Sequence, residues 1–294
     1  EDLPEVAAVR GHGLWIGVDL ADPAGPAPAG GLAPAVVAAG LEAGAVQVFC
    51  RILCDGAGAE WPLSRKFGCV PEMAVDVLEH AYRGGLNAYG VSFHVGSQQL
   101  DPDAWEIGIR CARDIFAAVP GMTTLNLGGG IPISYDARVP GLGVVGDAIA
   151  GALGRHFPAL PRIVIEPGRA VVGSAGTLSC EVVAVRTGTD GRRWVYLDIG
   201  RYGGLAETEN EYIHYRLRTG RDGDPVDDAV VAGPTCDGDD VLYRRYPLPV
   251  TLRPGDAVEI ESAGAYTTSY SSTFNGFSCL ATEFVEVTDA VTTG

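Results

Sequence analysis

Lysine is almost absent. The 294 residues contain one, Lys66, in the run Leu63-Ser64-Arg65-Lys66-Phe67-Gly68. Within these residues, any chemistry that needs a lysine amine is therefore confined to that position. Positive charge of any kind is scarce: 21 Lys and Arg face 37 Asp and Glu, a formal net charge of −16. Nucleic acid and anionic membrane are excluded as partners, because no basic face is available to neutralise phosphates. The balance fits a soluble chain and a cationic substrate. No apolar run approaches the roughly 20 residues that span a bilayer. No basic, apolar leader opens the chain, so a secretory route is unsupported, and Glu1 in place of Met leaves room for sequence ahead of it. Cys-x-x-Cys pairs are also missing. The seven cysteines (Cys50, Cys54, Cys69, Cys111, Cys180, Cys236 and Cys279) are odd in number, and Cys50 and Cys54 have no nearby histidine. No metal is expected, and the pattern reads as a reduced, cytoplasmic protein with mostly buried thiols.

What is present is an ordinary globular balance, 47% hydrophobic and 20% charged, enough for one large or two modest domains. Residues 13–19 read as a short strand, 22–34 as a Pro-, Ala- and Gly-rich loop, and 35–43 as a short helix. A repeat of buried strand and amphipathic helix follows. Strands are expected over 45–53, 88–94, 123–127 and 162–166, and helices over 71–83, 103–119 and 145–156. In the first helix Met73, Val77, Leu78 and Ala81 share a face, with Pro71 suited to the first turn. In the second the core positions are Trp105, Ile109, Ala112 and Phe116. Strands alternating with helices predict parallel βα units, with chemistry at the strands' C-terminal ends. Beyond about residue 172 the pattern becomes strands over 172–186, 194–199, 228–232, 257–261 and 280–287, separated by turns such as Thr189-Asp190-Gly191. That half reads as mainly antiparallel β.

The chemically suggestive residues sit at those strand ends. Gly128-Gly129-Gly130 frees backbone N–H groups to meet a phosphate, although alone it reads as readily as a tight turn. Glu166-Pro167-Gly168-Arg169 sets an acid and a base three apart, which is equally the mark of a salt-bridged turn. His94 closes Phe93-His94-Val95-Gly96-Ser97, where a lone histidine is more often a satisfied core residue. Cys236 lies in Gly233-Pro234-Thr235-Cys236-Asp237-Gly238-Asp239-Asp240. Three acids around one thiol disfavour the thiolate, which argues against a nucleophile and is compatible with a proton donor. A loop cysteine beside solvated acids is the plainer alternative. Gly264-Ala265-Tyr266-Thr267 and Ser272-Thr273-Phe274-Asn275-Gly276-Phe277 each read alone as hairpins.

Taken in order, FHVGS, LGGG-P, EPGR, GPTCDG-D, GAYT and STFNGF are more specific than any one of them. Over about residues 45–290 they resemble the fold-III pyridoxal phosphate decarboxylases, which act on ornithine, lysine, arginine and diaminopimelate. Cys236-Asp237 is similar to the ornithine/lysine branch, and the stretch 196–207 resembles bacterial members. The resemblance implies an α/β chain: an incomplete alanine-racemase-like (β/α) barrel over 1–172, then a mainly antiparallel β-domain over 173–294 carrying the Cys-Asp loop. It also implies roles. His94 stacks on the pyridine ring, and Glu166 pairs with the ring nitrogen. Ser97, Gly128, Gly129, Gly130, Arg169 and Tyr266 surround the phosphate. Cys236 returns the proton, and Asp237, with Asn210 or Glu211, holds the distal ammonium of a small basic amino acid. In that family the Cys-Asp loop enters the partner subunit of a dimer, and Lys66 and Asp240 match positions that form an ion pair across the interface.

Two departures accompany the likeness. The family holds its cofactor as a Schiff base on a lysine ending the first barrel strand, in a Tyr-Ala-Val-Lys-like segment, and no such segment occurs here. Residues 13–19 align near the fourth barrel strand, which leaves five barrel strands with two open edges. Asn210 also stands where an Asp is common, and a neutral amide holds an ammonium less strongly. The expectation is a subunit of a decarboxylase whose lysine comes from a second, decarboxylase-like chain, in a dimer or higher oligomer. A catalytically inactive paralogue that regulates or stabilises an active partner by heterodimerisation is the alternative. An enzyme that binds the cofactor without a covalent link ranks third.

Overall fold

The computed structural model describes residues 6–12, 15–20, 47–63 and 67–285. The loop expected over 22–34, the helix over 35–43, and Lys66 lie outside them. Strands β1 (Val6–His12) and β2 (Trp15–Leu20) pair antiparallel with each other. The strand expected near 13–19 is thus half of a two-stranded ribbon. Its ladder partner is β1, and no pairing with the parallel sheet is present among the described residues.

Four parallel strands form the first layered unit: β3 (Gln47–Arg51), β5 (Asn87–Ser92), β7 (Thr124–Asn126) and β8 (Arg162–Val164), in that spatial order. Helix α1 (Pro71–Arg83) connects the first two, α2 (Ala104–Ala118) the next two, and α3 (Leu142–His156) the last two. A short antiparallel pair, β4 (Ala59–Trp61) with β6 (Ser97–Gln99), crosses near the strand ends. Pro71 opens α1, where its missing N–H costs nothing. The helix buries Ala74, Leu78 and Ala81, whereas Met73 and Val77 are 54% and 45% exposed. The stripe keeps Leu78 and Ala81 of the expected face and takes Ala74 in place of Met73 and Val77, because the small side chains at 74 and 81 allow closer approach to the sheet. Helix α2 buries Trp105, Ile109, Ala112 and Ile115. Gly108 admits the Phe93 ring, since a Cβ there would stand 2.6 Å from it. Phe116 is only partly buried and meets Phe157 edge to face at 5.5 Å. Each large side chain buried in this core stabilises the fold by about 1.5–3 kcal/mol.

The second unit is a six-stranded sheet in the order β11 (Leu217–Thr219), β14 (Ala257–Ile260), β9 (Leu178–Thr187), β10 (Arg193–Leu197), β12 (Val226–Ala232) and β13 (Val241–Pro249). All its pairings are antiparallel except β10 with β12. Its core includes Val182, Leu197, Tyr215, Val231, Tyr243 and Val258. The buried hydroxyls of Tyr243 and Tyr246 each accept a backbone N–H and donate to a carbonyl of the 213–217 segment, so the tyrosines substitute for a missing ladder.

Two expected strands are different. Residues 169–172 form a helical turn and 173–175 a 3₁₀ turn, so β9 starts six residues later than the reading from 172. Arg169 must fold back after Gly168, and a helical turn is the shortest way to do so. Over 280–285 no strand forms: Phe284 and Val285 are 96% and 79% exposed and meet no facing surface. Strand β13, absent from the sequence reading, pairs along β12. Its alternation is masked by Arg244, Arg245 and two prolines. Among the described residues no helix is long and apolar enough to cross a membrane.

Candidate functional site

The three parallel strands β5, β7 and β8 end in register, with Ser92 opposite Asn126 and Asn126 opposite Val164. Residues just past those ends must emerge at one sheet edge. The ladder continues into the loops: Phe93 N–H donates to Asn126 O at 3.1 Å, Leu127 N–H to Val164 O at 2.9 Å, and Glu166 N–H to Gly128 O at 2.8 Å. His94, the triple glycine and Glu166 are held together by backbone.

They surround a cavity of about 140 Å³. Of the residues expected to bind cofactor, His94, Ser97, Gly129, Gly130, Glu166, Arg169 and Tyr266 line it. Gly128 lies behind the wall. Its φ is +66°, and a Cβ there would stand 2.1 Å from Phe93 O, so only glycine turns this corner. A larger, open groove of about 980 Å³ runs over the β-domain between β9, β10, β12 and β13. It shares no residue with the strand-end cavity, and its arginines are largely paired, Arg192 with Asp190 and Arg245 with Asp228. The smaller cavity carries the convergent chemistry.

His94 is half-buried, and its Nδ1 accepts the Gly96 N–H at 3.0 Å. That bond leaves Nε2 as the protonated nitrogen of the neutral ring. Burial and then the Arg51 charge depress its pKa, with Glu166 opposing, so the ring is neutral at pH 7 and presents an aromatic face. Glu166 Oε1 accepts from Asn126 Nδ2 at 2.8 Å, while Asn126 Oδ1 takes the Gly128 N–H at 2.9 Å. Asn126 thus couples the carboxylate to the glycine loop. Gln98, buried and at φ +53°, clamps the far end of that loop through both backbone groups of Ile133.

The opposite wall is built around Arg169. Its Nη1 donates to Glu207 Oε2 at 2.9 Å and to the Tyr135 hydroxyl at 2.5 Å. Its Nη2 donates to Glu207 Oε1 at 2.5 Å and to Ser97 Oγ at 3.1 Å. The Tyr266 ring lies over the guanidinium at 4.9 Å, and Tyr266 itself adopts φ +67°, a left-handed conformation that a non-glycine residue keeps only when its surroundings enforce it. Burial works to lower the Arg169 pKa, and the Glu207 bonds outweigh it, so the guanidinium is charged. Its Nε–H is buried without an acceptor. Among the described residues, the N–H groups of Gly129 and Gly130 also meet no acceptor. These donors and the Ser97 O–H proton fit a phosphate group.

The remaining expected residues lie elsewhere. Cys236 is exposed and absent from the cavity wall, and its N–H donates to Asn275 Oδ1 at 3.0 Å. Asp237 accepts from Asp239 N–H at 2.9 Å and from the Tyr202 hydroxyl at 2.9 Å. The Asp239 amide, then that phenol, hold its carboxyl below the usual range. Asp240, expected at an interface with Lys66, is 2% exposed. Its oxygens accept from Arg201 N–H at 2.8 Å, Thr235 N–H at 3.0 Å and the Thr235 hydroxyl at 2.7 Å. It braces its own loop. Asn210 and Glu211 are exposed and left-handed, at φ 51° and 58°, and Glu211 accepts the Arg244 N–H at 2.7 Å.

Sequence reasoning passed over Asn126, Tyr135, Gln98 and Glu207. Asn126 had a usable signal, a carboxamide two residues before a triple glycine. Tyr135 and Glu207 had none, because their relation to Arg169 spans 34 and 38 residues.

A family model described as pyridoxal-dependent decarboxylase, C-terminal sheet domain, matches residues 22–264. The lysine/ornithine decarboxylase of Selenomonas ruminantium is 37% identical over 239 residues, covering 79% of this chain and 59% of that protein. Two solved structures resemble the fold. Arginine decarboxylase of Paramecium bursaria Chlorella virus has a TM-score of 0.68 at 30% identity, over 79% of this chain and 63% of that one. Lysine/ornithine decarboxylase of Vibrio vulnificus, complexed with putrescine, has a TM-score of 0.66 at 32% identity, over 80% and 62%. The match thus spans about three fifths of such relatives' length.

Proposed function

The chain belongs to the fold-III pyridoxal-dependent decarboxylase family, on its ornithine/lysine branch, and from that premise we propose that it is a subunit of a decarboxylase for a small basic amino acid such as ornithine or lysine. The observation that carries this reading is the cavity at the strand ends, where uncommitted donors, a neutral histidine and a braced carboxylate converge. Pyridoxal phosphate fits this set. Gly129 and Gly130 N–H, the Ser97 hydroxyl and Arg169 Nε would hold its phosphate, and His94 would lie against its ring. Glu166, with Oε1 engaged by Asn126, would accept a hydrogen bond from the ring nitrogen on Oε2 and keep that nitrogen protonated. When bound, the cofactor supplies an electron sink for the bond that breaks as CO₂ leaves.

The chain's other residues handle the substrate and the proton. Cys236 would return a proton to the carbon that lost CO₂. Asp237, kept ionised, would hold the distal ammonium with Asn210 or Glu211 beside it, since a carboxylate bonded to two donors retains lone pairs for a third. Because Cys236 does not line the cavity, the reading includes a dimer in which this loop completes a partner's cavity. It also includes a barrel whose four parallel strands are closed by further sequence, a domain division near 172/173, and a cofactor-anchoring lysine other than Lys66, supplied by a second decarboxylase-like chain. Seven free thiols suit a reducing, cytoplasmic setting.

The test is borohydride reduction of the complete assembly, purified from its source, followed by peptide mass mapping. The cofactor is expected on a lysine outside the 294 residues. Cofactor on Lys66, or none with every partner present, overturns the reading. The scarcity of lysine also favours a second reading, an inactive paralogue that stabilises an active partner. Under it Cys236→Ala leaves the assembly's turnover unchanged; under the first, turnover collapses.

A further inference from the structure

The wall that faces the proposed phosphate subsite contains a carboxylate. Glu207 lines the cavity, is 3% exposed, and bonds both terminal nitrogens of Arg169. A guanidinium has five N–H donors. The four on Nη1 and Nη2 are matched by two Glu207 oxygens, Tyr135 and Ser97. One donor, on Nε, remains without an acceptor. Arg169 therefore cannot grip a phosphate with its two-pronged face while Glu207 is in place. It reaches an anion through the single Nε–H and through Ser97, whose oxygen it engages and whose proton stays available. The positive charge of Arg169 is offset by a carboxylate in the same wall.

Resting on the cofactor reading above, we infer that Glu207 is a positioning residue that turns the Arg169 fork away from the phosphate and offsets its charge, so that the phosphate is gripped by backbone and hydroxyl donors and the one Arg169 Nε–H. Removing Glu207 alone should free the fork and expose the charge, which strengthens phosphate binding. Removing Arg169 alone should leave a buried carboxylate facing the phosphate. Removing both as a neutral unit should change little, because a buried ion pair replaced by hydrocarbon of similar size is often tolerated.

The experiment measures, in the complete assembly stripped of cofactor, the dissociation constants of pyridoxal phosphate and of pyridoxal, which lacks the phosphate. Their ratio reports on the phosphate subsite and is insensitive to a general loss of stability. In Glu207→Gln the preference for the phosphorylated form should rise roughly a hundredfold, the effect of one unit charge about 6 Å away at an effective dielectric of about 20. In Arg169→Met it should fall by about a hundredfold, and in Arg169→Met/Glu207→Leu it should return to within about threefold of the wild type. Should Glu207→Gln fail to fold, the double variant still decides. A preference unchanged or lowered in Glu207→Gln, or a double variant as poor as Arg169→Met, overturns the inference and makes the Arg169 fork a phosphate ligand independent of Glu207. If the wild type itself prefers neither compound, the cofactor reading fails, and this inference with it.

Discussion

The strand-end cavity and the Cys236 loop are built on opposite plans. At the cavity, Gly129 N–H, Gly130 N–H and Arg169 Nε–H stand without acceptors among the described residues, and Glu166 keeps an oxygen in reserve. At the loop, polar groups are matched within the chain: Asp240 takes three donors, Asp237 two, and the Cys236 N–H rests on Asn275. One region is shaped but leaves its donors unmatched by the chain. The other is satisfied yet leaves its thiol in solvent. A buried, unmatched polar group costs about 1–3 kcal/mol, so the cavity's geometry has to be held by its surroundings and is stabilised when an anion fills it. The loop needs no such filling.

That contrast can be broken or sharpened by substitution, ordered by expected effect on the fold. Asp240→Ala should be the most damaging. It strips a buried carboxylate from three donors, at a cost of about 3 kcal/mol or more in denaturant unfolding. Cofactor affinity should hold, and a matching loss there would show that the two regions are not independent. Gly129→Ala reverses the pattern. Its Cβ would stand 2.6 Å from Glu166 O, and overpacking of about 1–3 kcal/mol should lower cofactor affinity roughly tenfold or more in an absorbance titration, with the β-domain's unfolding unchanged. Asn126→Ala should cost about 1 kcal/mol and lower kcat roughly fivefold at unchanged KM, because it frees Glu166 without emptying the cavity. An unchanged kcat would remove Asn126 from the site.

The pH dependence of His94 is a smaller effect with a definite sign. Burial depresses its pKa in the folded chain, while in the unfolded chain it titrates near 6.5. As pH falls below about 6.5 the unfolded chain binds a proton that the folded chain refuses, so this contribution is complete above that pH and is lost below it, down to the depressed folded value. His94→Gln should flatten that acid-side decline in stability, and an unchanged slope would mean that burial is not governing the ring. Cys236→Ala should disturb the fold least, by under about 0.5 kcal/mol, because the side chain is exposed. Cofactor affinity should stay constant while turnover is lost.

Legibility followed the same divide. The helices at 71–83 and 104–118 and the strand ends bearing His94, the glycines and Glu166 were readable, because apolar periodicity and glycine placement are local properties. The edge of the α1 stripe was not, since Met73 and Val77 are as apolar as what is buried and only the sheet's distance favours Ala74 over them. Strand β13 was hidden by arginines that point outward from a sheet whose existence depends on its neighbours. The partners of Arg169 were hidden by sequence separation alone.

By itself the sequence determined the order of the chemistry: which residue types end which strands, and that these residues hold one lysine, in an unsuitable context. Side-chain type and short-range spacing are enough for that. Only the tertiary structure decided how those residues are paired. It placed Glu207 across Arg169, buried Asp240 inside its own loop, and set Cys236 apart from the cavity. Those outcomes rest on contacts between distant segments, where burial turns a charge from a solvated surface group into one that must find its counter-ion.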